Sequence, residues 1–216
     1  MFPNIRENVQ NHQWLSERAI LAPKNIDVDA MNIEIQNMLD SETVSFKSID
    51  TVVDENEAVH FPTEFLNSLD LPGLPPHNLQ VKINSPIILL RNLNAPRLCN
   101  GTRLVVKQLR GNLIEATILS GKFKGDNVLL PRIPMIPNDS PIPFKRIQFP
   151  IRLAFAITIN KAQGQTMSIC GLNLETACFA HGQLYVACSR VGRPSNLFVY
   201  MSGDRTTNVV HNLALS

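Results

Sequence analysis

The chain has 216 residues and a mass of 24.1 kDa, enough to bury a core in one large domain or two small ones. With 44% hydrophobic and 18% charged residues it has a soluble globular composition. It lacks both an apolar run near the roughly 18–20 residues of a membrane span and, in MFPNIRENVQNHQW, a signal-peptide pattern, so an intracellular protein without a membrane partner is expected. The net charge of +2 hides a division: residues 1–96 hold 6 basic and 13 acidic side chains, residues 97–161 hold 11 and 3. A basic block inside an otherwise acidic chain is a candidate polyanion-facing surface.

RAILAP (Arg18–Pro23) is a compact apolar run closed by proline and predicts a short buried strand. In IDVDAMNIEIQNMLD the positions Val28, Met31, Ile35, Met38 and Leu39 recur at three- and four-residue spacing, which predicts an amphipathic helix with Asp27 and Asp29 in its first turn. TVSFKSI (Thr43–Ile49) predicts a strand, PTEFLNSL (Pro62–Leu69) a short helix with proline at its start, and LPGLPPH (Leu71–His77) a linker. SPIILLRNL, NGTRLVVKQL, GNLIEATIL and DNVLLP, spanning Ser85 to Pro131, are β-rich runs separated by tight-turn signals, which predicts a small barrel or curled sheet. Pro131–Pro143 holds five prolines in 13 residues and reads as an extended connector. Beyond it, LAFAIT, SICGLNL and NLFVYM predict strands, alternating with a turn and short helix in NKAQGQ and a helix in GQLYVACSR. Strands alternating with helices predict a parallel sheet.

The expected fold is therefore α/β, a parallel-sheet domain interrupted by a β insertion. Residues 1–92 and 148–216 would form the sheet domain, and residues 93–147 a small basic β-barrel with its Pro-rich connector.

Two stretches carry chemistry. AITINKAQGQT (Ala156–Thr166) leads a strand into a polar turn. There Thr158 offers a hydroxyl to a phosphate, Lys161 a point charge, and Gly164 close approach of the backbone. The plain alternative is a polar loop. LYVACSR (Leu184–Arg190) ends a short helix on Arg190, placed to answer phosphoryl-transfer charge from a neighbouring domain. The alternative is an arginine capping its own helix C-terminus. No GxxxxGK[ST] loop is present: in SGKFKGD, Phe123 follows Gly121–Lys122 and Ala116 stands where the first glycine belongs. TVVDE (Thr51–Glu55) mimics a strand ending in a metal-binding acidic pair, but reads as a solvated loop. Cys99, Cys170, Cys178 and Cys188 form no CxxC pair, so no metal site is expected and the thiols are read as buried and reduced.

Together these segments resemble the C-terminal half of the petite-integration-frequency (PIF/RecD-like) DNA helicases, including the helicase part of Helitron transposons. ILAPKNIDVDAMN resembles the family's motif IV region. EFLNSLDLPGLPPHNLQVKINSPIILLRNLN and LCNGTRL resemble its linker and the start of its barrel insertion. FPIRLAFAITINKAQGQT resembles motif V, and HGQLYVACSRV motif VI. Pro96–Leu98 departs from the family, which tends to have a glycine before LCNGTR. The resemblance implies a second RecA-like domain carrying a Src-homology-like barrel, and ATP-driven 5′-to-3′ DNA unwinding. It implies that Arg190 is the arginine finger and that Gln163 and Gly164 lie near the nucleotide cleft. It implies that Thr158, Asn160 and Lys161, with Asn25 from the motif IV region, face single-stranded DNA. ATP and Mg²⁺ would be bound mainly by a first RecA-like domain carrying the P-loop, supplied in cis or in trans, and this chain alone would turn over little or no ATP. The family's association with telomere maintenance, recombination and repair implies a nuclear setting. The competing readings are a non-enzymatic nucleic-acid-binding module, a domesticated or truncated transposon helicase, and a decayed gene fragment. Aromatic residues, at 6%, are scarce for base stacking.

Overall fold

A computed structural model describes residues 1–54, 60–137, 140 and 142–211. They fall into two compact units, one formed by Met1–Asp40 with Leu153–Ser216, the other by Ser41–Arg152.

The first unit opens with short helices α1 (Ile5–Asn8) and α2 (His12–Ser16), then β1 (Arg18–Ala22) and α3 (Asn25–Asn37). After Arg18, β1 is apolar because both of its faces are covered. Ile20 and Ala22 pack against Met31 and Val28 of α3, and strand alternation sends Ala19 and Leu21 to the other face, where both are fully buried. Of the apolar positions expected on α3, Val28 and Ile35 are buried, and so is Leu39 just beyond its end. Met38 is 41% exposed because the helix has stopped at Asn37.

In the second unit the chain runs through β2 (Val44–Lys47), β3 (Ile49–Val52), α4 (Thr63–Ser68), β4 (Asn78–Val81) and β5 (Pro86–Leu89). It continues through β6 (Arg103–Arg110), β7 (Leu113–Ile118), β8 (Asn127–Pro131), β9 (Ile133–Met135), β10 (Phe144–Gln148) and β11 (Ile151–Leu153). Three sheets result: β11-β5-β6-β7-β8, β3-β10-β9 and β2-β4. The stretch Thr43–Ile49 is two strands rather than one, broken at Ser48, because Val44–Lys47 pairs with β4 and Ile49–Val52 with β10. The proline-rich stretch is not wholly a connector, since Ile133–Met135 pairs with β10; Asn138, Asp139 and Pro141 lie outside the described residues. SGKFKGD is the hairpin connection between β7 and β8, with Gly121 and Gly125 at positive φ. Within TVVDE, Thr51 and Val52 belong to β3, Asp54 is exposed, and Glu55 lies outside the described residues. The PRL departure still forms a turn, closed by Leu98 N–H donating to Asn94 O at 2.7 Å.

The expected boundary at residues 92/93 falls inside this unit. β5, before it, pairs with β6, after it, and the supposed linker contributes fully buried Leu74 to a cluster with Leu66, Met135 and Phe144. The basic block is also less of a surface than its charge count implies. Arg103 and Arg146 are buried. Arg97 pairs with Asp126, Lys107 with Glu115, and Arg152 with Asp70.

The chain then returns to the first unit with β12 (Ala156–Thr158), a 3₁₀ turn at Ile159–Ala162, β13 (Ile169–Asn173), α5 (Gln183–Cys188) and β14 (Leu197–Tyr200). The sheet is four-stranded and all parallel, in the order β12-β1-β13-β14. This is the expected α/β class, with the parallel sheet built from both ends of the chain.

Candidate functional site

β1 and β12 run parallel in a register that sets Ala22 beside Thr158, so both end at one edge of the sheet. In open α/β sheets that carboxyl edge is where ligands bind. Beyond Ala22 lie Pro23, Lys24 and Asn25, which is exposed at the first residue of α3; beyond Thr158 come exposed Asn160 and half-buried Lys161. The structure thus brings Asn25, Thr158, Asn160 and Lys161 to the same edge. Among the described residues the side chains of Thr158 and Asn160 make no protein hydrogen bond.

β12 is only three residues long and lies at the sheet's edge, so β1 alone cannot hold it. Asn32 of α3 supplies the missing partner. Its Oδ1 accepts from Ala156 N–H at 2.8 Å, and its Nδ2 donates to Ala156 O at 2.9 Å and Leu153 O at 3.3 Å. Asn32 is 2% exposed and works as a substitute strand, fixing where Thr158 emerges. A polar residue on the apolar face between Val28 and Ile35 is the sequence signal that marks it.

The polar turn has a defined geometry. Gln163 has φ −57° and ψ 130°, Gly164 has φ 78°, and Gln165 N–H donates to Ala162 O at 3.0 Å. These are the angles of a type II β-turn with glycine at the position that needs positive φ. A Cβ at Gly164 would meet no atom within 4 Å. Glycine is therefore required here by the turn's backbone conformation, and the space beside it is open.

Arg190 docks on this turn. Its Nη1 donates to Ala162 O and Gln165 O, both at 3.1 Å, its Nε to Val186 O at 2.7 Å, and its Nη2 to Ser189 Oγ at 2.7 Å. The backbone joins too, Met167 N–H donating to Arg190 O at 2.9 Å. Arg190 caps a carbonyl of its own helix, as the alternative reading had it, and the same side chain lies against Gln163 and Gly164. Four of its five N–H donors are used, leaving one Nη2 hydrogen for a further acceptor. At the other end of α5, buried Gln183 accepts from Phe179 N–H through Oε1 at 3.0 Å, holding the preceding loop on the helix. Sequence reading missed Gln183 and Asn32, both polar residues working inside apolar surroundings.

Among the described residues no three His, Cys, Asp or Glu side chains gather to hold a metal ion. Beside Arg190 the described residues leave one Nη2 hydrogen for an anionic acceptor and gather no carboxylate cluster that would hold Mg²⁺. The cysteines divide by exposure: Cys170 and Cys178 are buried as expected, whereas Cys99 is half-buried and Cys188 exposed. Burial pushes the Cys170 thiol up to about 12 and raises that of Cys178. Burial raises the Cys188 thiol as well, but its exposure leaves it accessible, so brief iodoacetamide treatment of the native chain is expected to modify Cys188 before buried Cys170. Equal labelling of the two by peptide mass mapping would contradict this packing.

The family described as DNA helicase Pif1, 2B domain, matches residues 64–109, which lie wholly inside the second unit. The ATP-dependent DNA helicase PIF6 of Trypanosoma brucei brucei is 34% identical over 128 residues, covering 56% of this chain and 16% of that protein. The Pif1 helicase of Candida albicans superposes with a TM-score of 0.69 at 22% identity, covering 97% of this chain and 52% of its own. In sequence and in fold, the chain resembles the C-terminal region of Pif1-like helicases. The Bacteroides Pif1 helicase solved in complex with ADP-AlF3 and ssDNA gives a TM-score of 0.67 at 21% identity, over 99% of this chain and 52% of its own. The Pif1-like region thus spans about half the length of these solved helicases and a smaller part of the trypanosome protein.

Proposed function

We propose that this chain is the DNA-gripping and arginine-finger half of an ATP-dependent DNA helicase. The observation that carries this reading is the joining of two motifs in one unit: Arg190 lies 3.1 Å from the carbonyls on either side of Gln163–Gly164. The same turn continues the strand that delivers Thr158, Asn160 and Lys161 to the carboxyl edge beside Asn25. In this reading those four residues hold the phosphates of single-stranded DNA. Gln163 and Gly164 border the nucleotide. The remaining Nη2 hydrogen of Arg190 reaches the phosphoryl group of ATP, which is cradled with its Mg²⁺ by a P-loop RecA-like domain in cis or in trans. Opening and closing of that cleft would move DNA, 5′ to 3′ as the family resemblance implies, and the same resemblance extends to a nuclear role in recombination, repair and telomere maintenance.

The test is fluorescence anisotropy of a labelled oligo-dT with the purified chain over a range of salt. Binding is expected to weaken steeply with salt, because backbone contacts release counterions. Lys161→Ala should reduce the slope of log K against log salt by about 0.7, one phosphate contact on a single strand. Absent or salt-independent binding would remove the DNA-gripping half of the reading.

A further inference from the structure

We propose that Arg190 is also a positioning residue for the DNA grip, holding in place the turn that presents Asn160 and Lys161. This rests on the single-strand-binding reading above and adds a second duty to a residue otherwise assigned to ATP.

The turn has little to hold it by itself. Ile159–Ala162 is a four-residue 3₁₀ helix, a form whose hydrogen bonds are poor in geometry. Its closing bond, Gln163 N–H to Asn160 O, is long at 3.4 Å. Two side chains tie down its carbonyls. Gln165 Nε2 donates to Lys161 O at 3.0 Å, and Arg190 Nη1 bridges the first and last carbonyls of the type II turn. The guanidinium is itself locked by Val186 O and Ser189 Oγ, so the turn is riveted to α5. A cation over the carbonyl end of the 3₁₀ segment is also electrostatically favourable. The planar fork suits this arrangement, since one nitrogen reaches two carbonyls while the other two nitrogens hold the helix. The spare Nη2 hydrogen lets the rivet stay in place while Arg190 meets a phosphate.

The test compares oligo-dT affinity of the full 216-residue chain with its Arg190→Ala, Arg190→Lys and Lys161→Ala variants and the Arg190→Ala/Lys161→Ala double, without nucleotide. Arg190→Ala is expected to weaken binding about 5–10-fold, the worth of one to two hydrogen bonds. Arg190→Lys keeps the charge but not the fork, and should recover less than half of that loss on a logarithmic scale. In the Lys161→Ala background Arg190→Ala should weaken binding by less than it does in the unsubstituted chain, because part of its effect runs through Lys161 and the rest through Asn160. Hydrogen exchange at the Gln163 and Gln165 amides should speed up in Arg190→Lys, which gives a readout even if the alanine variant unfolds. Wild-type affinity in Arg190→Lys, or full additivity in the double variant, would overturn the positioning role while leaving DNA binding intact. Failure of the unsubstituted chain to bind would instead overturn the binding reading, and this inference with it.

Discussion

Joined to a P-loop RecA-like domain, the chain carrying Arg190→Ala is expected to lose DNA-stimulated ATP turnover by about a thousandfold or more, the usual worth of an arginine finger. Arg190 is half-buried at the end of α5 with one Nη2 hydrogen unused, and a guanidinium stabilises the spread charge of a transferring phosphoryl group better than a point ammonium does. Arg190→Lys should therefore recover little turnover. Because the interaction forms mainly in the transition state, kcat should fall while KM for ATP changes little. The assay belongs at saturating DNA, so that the weaker grip predicted for the same variant does not enter. A fall in kcat of less than tenfold would leave Arg190 as a structural rivet only.

Arg146→Ala is expected to destabilise the second unit by about 3–5 kcal/mol, the cost of removing one partner from a buried ion pair. Arg146 and Asp50 face each other directly across β10 and β3. Their side chains are fully buried and meet at 2.7 Å. Arg146 also donates to Leu66 O at 2.9 Å and to Leu69 O and Pro75 O at 3.1 Å. Ser48 Oγ donates to Asp50 Oδ1 at 2.7 Å. One guanidinium thus anchors α4 and the following loop to the β3-β10-β9 sheet. Without it the buried Asp50 carboxylate loses its countercharge, and Leu66 O, Leu69 O and Pro75 O each lose a charged donor. With an m-value of about 2–3 kcal/mol per molar urea, the midpoint should drop by about 1–2.5 M. Arg146→Lys should fare nearly as badly, since an ammonium cannot span the same acceptors. Hydrogen exchange should place the loss in residues 41–152; an unchanged midpoint would contradict the burial of this pair.

The motifs were legible because their chemistry is local. Polar residues following an apolar strand, and an arginine closing a short helix, stand out in AITINKAQGQT and LYVACSR, and the structure joins them through Arg190. The parallel sheet was legible too, since β1, β12, β13 and β14 are apolar runs with helices or turns between them. What escaped was long-range pairing. Phe144–Gln148 and Asn78–Val81 were not expected as strands; β3 and β2, which pair with them, lie about 100 and 35 residues away, and β9, the nearer partner of Phe144–Gln148, was hidden in the proline-rich stretch. For the same reason the turn signals in Leu71–His77 read as a domain linker, although Leu74 is core. Net charge misled as well: Arg146 counts toward a basic surface until Asp50 is seen opposite it. The φ of 78° at Gly164 adds a demand of the turn itself that the sequence did not show.

The central claim is that this chain supplies one side of an ATP site and lacks the other. The most direct measurement is steady-state ATP hydrolysis by the purified 216-residue chain with saturating single-stranded DNA and Mg²⁺. The expected result is no turnover above the DNA-free background, while the same preparation binds the DNA. DNA-stimulated turnover that disappears on Arg190→Ala would contradict the claim, because the phosphate cradle would then have to lie within these residues.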